Sequence, residues 1–205
     1  MKKYKTHNDK PTELGQNDMQ MTCFSSTVRP RQLSLSNKVG RALWNVVWLF
    51  LFRPTPRLFH PWRCQLLRLF GAKLGNAVHP YPSARIWAPW NLEMGDHSCL
   101  SEQVDCYCVD KIYIGARVTV SQYSYLCTAS HDYTSRDMPL VTAPIRIEAD
   151  AWVTADVFVG PGVTIGEGAV VGARSTITRN VPPWAVVAGS PPKVIGKREF
   201  KTMNV

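Results

Sequence analysis

In the stretch LCTASHDYTS, His131 and Asp132 have side chains suited to moving protons, and they stand where a regular sequence rhythm stops. A general base works best with a pKa near the working pH, and an unperturbed imidazole titrates at about 6.5. That makes His131 the candidate base. Asp132 is a different matter. Adjacent side chains of an extended segment point to opposite faces, so it cannot buttress the neighbouring ring unless the chain turns there. Its alternatives are to order the loop or to hold an acceptor.

The rhythm is a hexad. From residue 147 the chain reads IEADAW VTADVF VGPGVT IGEGAV VGARST ITRNVP, with Ile147, Val153, Val159, Ile165, Val171 and Ile177 at position one. Small residues recur at position five, from Ala151 to Val181. Neither a helical period of 3.6 nor a strand period of 2 produces this. A six-residue period is the mark of a parallel β-helix, in which three hexads make one triangular coil. Ile147 then stacks under Ile165, Val153 under Val171 and Val159 under Ile177. Each buried aliphatic contributes roughly 1.5–3 kcal/mol, and Gly160, Gly166, Gly168 and Gly172 are expected to supply the tight bends.

The same rhythm runs upstream through 74–91, 94–105 and 114–131, with two-residue slips at 92–93 and 106–113. The largest interruption is DYTSRDMPLVTAPIR, residues 132–146, which makes His131 the last residue of a complete coil. A fifteen-residue loop in a compact repeat is usually functional.

Ahead of the coils, residues 1–30 are polar without apolar period and read as a flexible extension. Leu35, Val39, Leu43, Val46 and Phe50 then follow a helical stripe, ended by Arg53-Pro54-Thr55-Pro56. A shorter helix runs from Pro61 to Gly71 with Trp62, Leu66, Leu69 and Phe70 on one face and Arg63 and Arg68 on the other. Residues 1–75 hold 13 Lys+Arg against 3 Asp+Glu, whereas residues 76–205 hold 11 against 12. So basic an amphipathic segment over 31–73 points to an anionic membrane surface, or to a helical cap on the open end of the coils. The apolar run 42–52 is too short to span a bilayer, and no secretory signal is evident, which places the chain in the cytoplasm. The six cysteines form no CxxC pair and read as reduced packing residues.

From about residue 74 to 196 the chain resembles the hexapeptide-repeat acyltransferases. The segments FRPTPR, LFGAKLG, IWAPWNLEMGD, LCTASHDY, VGPGVTIGEGAVVGARS and VPPWAVVAGSPPKVI look like the colanic-acid-type exopolysaccharide O-acetyltransferases. The resemblance implies a left-handed β-helix over 74–182 with a tail over 183–205, assembled as a homotrimer with active sites between subunits. It implies acetyl transfer from acetyl-CoA, as co-substrate, to a hydroxyl of a sugar or lipid-linked glycan, without a metal. His131 matches the family's general base. Ala155 matches the residue whose backbone N–H meets the oxyanion, and Ala173, Thr178, Arg179 and Lys193 match positions along the CoA groove. A further basic residue of the family falls on Gly196 here, with Lys197 beside it.

An N-acetyltransferase acting on an amino sugar or serine-type acceptor would use the same fold and base. A γ-type carbonic anhydrase needs three histidines at the metal, and the repeats offer only His79, His97 and His131 without a His-x4-His pair. A bare solenoid scaffold has no need of the His-Asp pair beside a loop. A nucleic-acid binder should carry a recognisable motif, and none is present.

Overall fold

The computed structural model describes residues 29–30 and 34–200. The polar extension read over residues 1–30 lies outside the described residues except for Arg29–Pro30, as does Cys23.

Helix α1 (Leu35–Val47) begins where the Ser34 hydroxyl accepts a hydrogen bond from the Asn37 N–H. It passes into a π-turn (Trp48–Phe52), closed by the Arg53 N–H donating to the Trp48 carbonyl at 2.8 Å, before Pro54 stops it. One side of this element packs on the first coil. Trp44 and Phe52 are fully buried, and the indole N–H groups of Trp44 and Trp48 donate to the carbonyls of Ile86 and Ala84 at 2.6 and 2.9 Å. Helix α2 (His60–Leu69) is pinned by Arg63, whose buried guanidinium donates to the carbonyls of Pro80, Pro56 and Arg57 and to the Thr55 hydroxyl. The two helices therefore cap the open end of the core.

The body is a left-handed β-solenoid of about six turns with three parallel faces. Strand β1 (Arg29–Pro30) stands apart from it. The first coil carries β2 (Lys73–Leu74), β3 (His79–Pro80) and β4 (Arg85–Ile86); the second β5 (Leu92–Met94), β6 (Cys99–Leu100) and β7 (Asp105–Tyr107); the third β8 (Ile112–Ile114), β9 (Thr119–Val120) and β10 (Tyr125–Cys127). After an excursion through β11 (Ala129–His131) and β12 (Leu140–Thr142), the fourth has β13 (Ile145–Ile147), β14 (Trp152–Val153) and β15 (Phe158–Val159). The fifth has β16 (Thr164–Ile165), β17 (Val170–Val171) and β18 (Thr176–Ile177). Face one stacks β2, β5, β8, β13 and β16, and face three stacks β4, β7, β10, β15 and β18. Face two stacks β3, β6, β9, β14 and β17, then β19 (Ala185–Ala188), against which β20 (Lys193–Lys197) lies antiparallel. The solenoid register therefore continues past residue 182, to Ala188.

The stacking follows the hexads: Ile147 pairs with Ile165, Val153 with Val171 and Val159 with Ile177, all within the buried core. The glycines work differently from the sequence reading. The bend at position four is a left-handed residue in the first five of the six hexads from residue 147, filled by Asp150, Asp156, Gly162, Gly168 and Arg174. Of the four glycines expected to bend the chain, only Gly168 does so. Gly166 is needed for approach, because a Cβ there would stand 2.5 Å from the backbone nitrogen of Pro183 in the next coil.

Candidate active site

All three breaks in the rhythm fall on the corner between faces three and one. The first is the 3-10 turn Pro89–Asn91, the second lies between β7 and β8, and the third is the excursion after β10. Polar contacts climb this corner. The Asn91 side-chain amide donates to the carbonyls of Cys108 and Val109, both at 2.9 Å. One coil up, the Asp110 N–H donates to the Thr128 hydroxyl and the Asp110 carboxylate accepts from the Thr142 hydroxyl, again at 2.9 Å. Thr128 and Thr142 are the two feet of the excursion. Asp110 and its threonine partners are absent from the sequence reading; their only trace there is the irregular spacing over 106–113.

The excursion is a hairpin. Hexad counting starts the insertion at Asp132, whereas the chain leaves the coil after Thr128 and returns at Ala143, whose N–H donates to the Thr128 carbonyl. Strands β11 and β12 pair antiparallel with His131 opposite Leu140, and β1 adds to the outer edge of β12. Ladder hydrogen bonding outweighs the hexad register here. His131 consequently sits on the hairpin, not on the coil wall, and its ring is exposed.

Its Nδ1 lies 2.6 Å from the carbonyl oxygen of Met138. A carbonyl only accepts, so Nδ1 carries the proton and the lone pair is on Nε2. Asp132 does not touch the ring. Its carboxylate accepts from the Thr134 N–H at 3.0 Å and the Thr134 hydroxyl at 2.6 Å, forming the turn that closes the hairpin. These hydrogen bonds, that from the hydroxyl foremost, favour the charged form and lower its pKa.

The other expected site residues divide between two corners. Ala155 and Ala173 stack at the corner between faces two and three, where the Arg174 N–H donates to the Ala155 carbonyl. Lys193 joins them, since it pairs with Ala188, which lies against Gly172. Thr178 and Arg179 follow β18 on the corner that bears the hairpin. Lys197 is opposite Ala185, at the far end of the β19–β20 pair from Lys193. One chain thus holds His131, Thr178 and Arg179 along one edge of face three, and Ala155, Ala173 and Lys193 along the other. A surface hollow of 530 Å³, lined by Glu148, Thr164, Gly166, Asn180 and Pro183 among others, lies at the remaining corner and contains none of them. Among the described residues no group of three His, Cys, Asp or Glu side chains could hold a metal ion.

Between the two edges, face three carries an outward ladder of rings. Trp87, Tyr107, Tyr125 and Phe158 succeed one another at centroid distances of 5.4, 6.2 and 5.7 Å, all half-buried, and the Arg41 guanidinium covers Trp87.

A family model described as bacterial transferase hexapeptide (six repeats) matches residues 144–179. Over 169 residues, 82% of this chain and 93% of the relative, the sequence is 43% identical to WcaF of Escherichia coli (strain K12), by name a colanic acid biosynthesis acetyltransferase. The chain belongs to the hexapeptide-repeat acetyltransferases. Solved structures of this acetyltransferase family overlay on it. The maltose O-acetyltransferase of Clostridium difficile 630 is 26% identical with a TM-score of 0.73, covering 82% of this chain and 90% of that one. A hexapeptide-repeat acetyltransferase of Vibrio cholerae O1 biovar eltor, solved with acetyl coenzyme A, is also 26% identical with a TM-score of 0.73, covering 82% and 91%.

Proposed function

We propose that this acetyltransferase moves the acetyl group of acetyl-CoA to a sugar hydroxyl in exopolysaccharide or lipid-linked glycan biosynthesis. It does so in the cytoplasm as a homotrimer, with His131 as general base. The observation that carries the reading is the Met138 carbonyl on Nδ1 of His131, which leaves a basic Nε2 facing solvent from an ordered hairpin. Nε2 takes the hydroxyl proton as the sugar oxygen attacks the thioester carbonyl. The oxyanion that develops is met by the Ala155 N–H. As the C–S bond breaks, the imidazolium returns its proton to the departing CoA sulfur. Asp132 contributes by holding the hairpin turn.

The division of residues between two corners favours sites shared by neighbouring subunits. If the aromatic face three turns toward the symmetry axis, the His131 edge of one copy meets the Ala155 edge of the next. Thr178 and Arg179 from one side, and Ala173 and Lys193 from the other, would then flank one CoA groove. Lys197 lies apart from that groove. Peripheral attachment to the membrane through the basic helical segment completes the reading, and brings the enzyme to glycans carried on lipid.

The test is to incubate the purified enzyme with acetyl-CoA and lipid-linked oligosaccharides while following thiol release and sugar mass. A gain of one acetyl group on oxygen supports the proposal; acetylation of an amine alone would move the enzyme to the N-acetyltransferases.

A further inference from the structure

The helical base of the solenoid has two faces with opposite character. The side bearing Trp44, Trp48 and Phe52 is bound into the first coil. On the other side Leu35, Val39, Leu43, Val46 and Phe50 form one continuous stripe and remain 53–76% exposed. At 100° per residue the stripe is centred some 140° or more from Trp44, so it points away from the coils. Leu58, Phe59, Trp62 and Leu69 extend the exposed apolar surface onto the α2 side.

Charge identifies what this surface fits. Residues 19–92 contain ten Lys+Arg and no Asp or Glu. Lys38 and Arg53 are exposed on the same helical element as the stripe, and no ion pair to a carboxylate is found for either among the described residues. Arg57 and Arg68 are exposed too, but their guanidiniums are held by the Tyr81 hydroxyl and ring and by the carbonyls of Leu74 and Gly75, respectively. Arg53 leans over the Trp48 ring, and Trp62 is half exposed with its indole N–H tied to the Leu51 carbonyl. Aliphatic side chains flanked by tryptophan and arginine suit the boundary between acyl chains and anionic headgroups. A second copy of the same surface would set cations against cations. Residues 1–28, with four lysines and three acidic residues, are no counter-charge either. No described helix is long and apolar enough to cross a membrane.

We propose that this base is a docking surface for an anionic bilayer: α1 lies in the interface plane with the Leu35–Phe50 stripe among the acyl chains, and Lys38 and Arg53 on the phosphates. This deepens the membrane clause of the proposed function and rests on it for its biological sense. Because the buried side of α1 closes the solenoid, docking needs no unfolding of the cap.

The experiment is flotation of the full chain with vesicles of phosphatidylcholine alone or mixed with phosphatidylglycerol. Binding should appear on the mixed vesicles and fall as salt is raised. Leu43→Glu with Phe50→Glu should weaken it at least about tenfold. Lys38→Glu with Arg53→Glu should do the same or more, since each cation near an anionic surface contributes roughly fivefold. These residues are exposed, so circular dichroism and melting temperature should stay as in the parent. Equal floating of parent and variants, or no floating of the parent, overturns the proposal. It is equally overturned if Leu43→Glu with Phe50→Glu splits an assembly into smaller ones by light scattering, which would make a second copy the occupant. The readout needs no acetyl transfer, so its failure is separable from failure of the His131 mechanism.

Discussion

The Met138 carbonyl oxygen lies 2.6 Å from Nδ1 of His131, seven residues earlier, and thereby chooses the tautomer of the ring. Met138 holds a left-handed backbone with φ at +42°, an uncommon conformation for a residue with a side chain. The turn that bends Met138 back is the same turn that presents Nε2 to solvent.

Replacing His131 with alanine should lower kcat by about 10²–10⁴-fold, the range for loss of a positioned base. Affinity for acetyl-CoA should change little, because the proposed mechanism sets His131 against the acceptor hydroxyl. Thiol release under saturating acetyl-CoA, with CoA binding measured separately, checks both parts.

Asp132 should behave as a turn residue. Asp132→Ala removes the acceptor for both Thr134 donors, so the hairpin tip should exchange its amides faster while the melting temperature stays put. Its folded pKa is lowered, so the turn contribution is complete above the ordinary aspartate range and is lost as the pH falls through the lower, folded value. Protection of the Thr134 amide should therefore persist through weak acid and fade only below the ordinary aspartate range. Hydrogen exchange on parent and variant reads this directly.

Two glycines six residues apart should respond unequally to alanine. At Gly166 the new methyl would stand 2.5 Å from backbone of the next coil, and the cost should be about 1–3 kcal/mol. At Gly160 the nearest atom is a carbon of the Phe158 ring at 3.4 Å, an ordinary contact, so Gly160→Ala should be close to neutral. Thermal melts should separate the pair by several degrees.

Cys106 and Cys108 are fully buried on the core side of the hairpin corner. Burial pushes the Cys108 thiol up to about 12 and raises Cys106 well above its ordinary value. Neither thiolate forms near neutral pH, so iodoacetamide should leave both unmodified in the folded protein and label them only in denaturant. Peptide mass spectrometry gives the occupancy of each site.

The sequence reading reached the coils because the hexad is a strictly local signal: one buried aliphatic and one small residue per side of the triangle. Ile147, Val153 and Val159 find the expected partners for that reason. It reached the hairpin only as a gap. The hexad count ran on through Ala129 and Ser130, whose alternation suits a coil as well as a hairpin strand, and pairing with Val141 and Thr142 decided between them. The glycines at position two looked like bends because glycine is common there. At Gly166 the actual constraint is the backbone of the coil above at Pro183, far along the chain.

By itself, then, the sequence determined the period, the identity of the core columns and the one histidine standing at the break. A repeating local pattern suffices for these, since each coil stacks on its neighbour by the same rule. The tertiary structure alone decided that all three breaks share one corner, that the Met138 carbonyl holds His131 while Asp132 turns the chain, and that face three separates His131 from Ala155. Those outcomes depend on how twenty- and eighteen-residue coils superpose, and on hydrogen bonds between residues whose spacing carries no period.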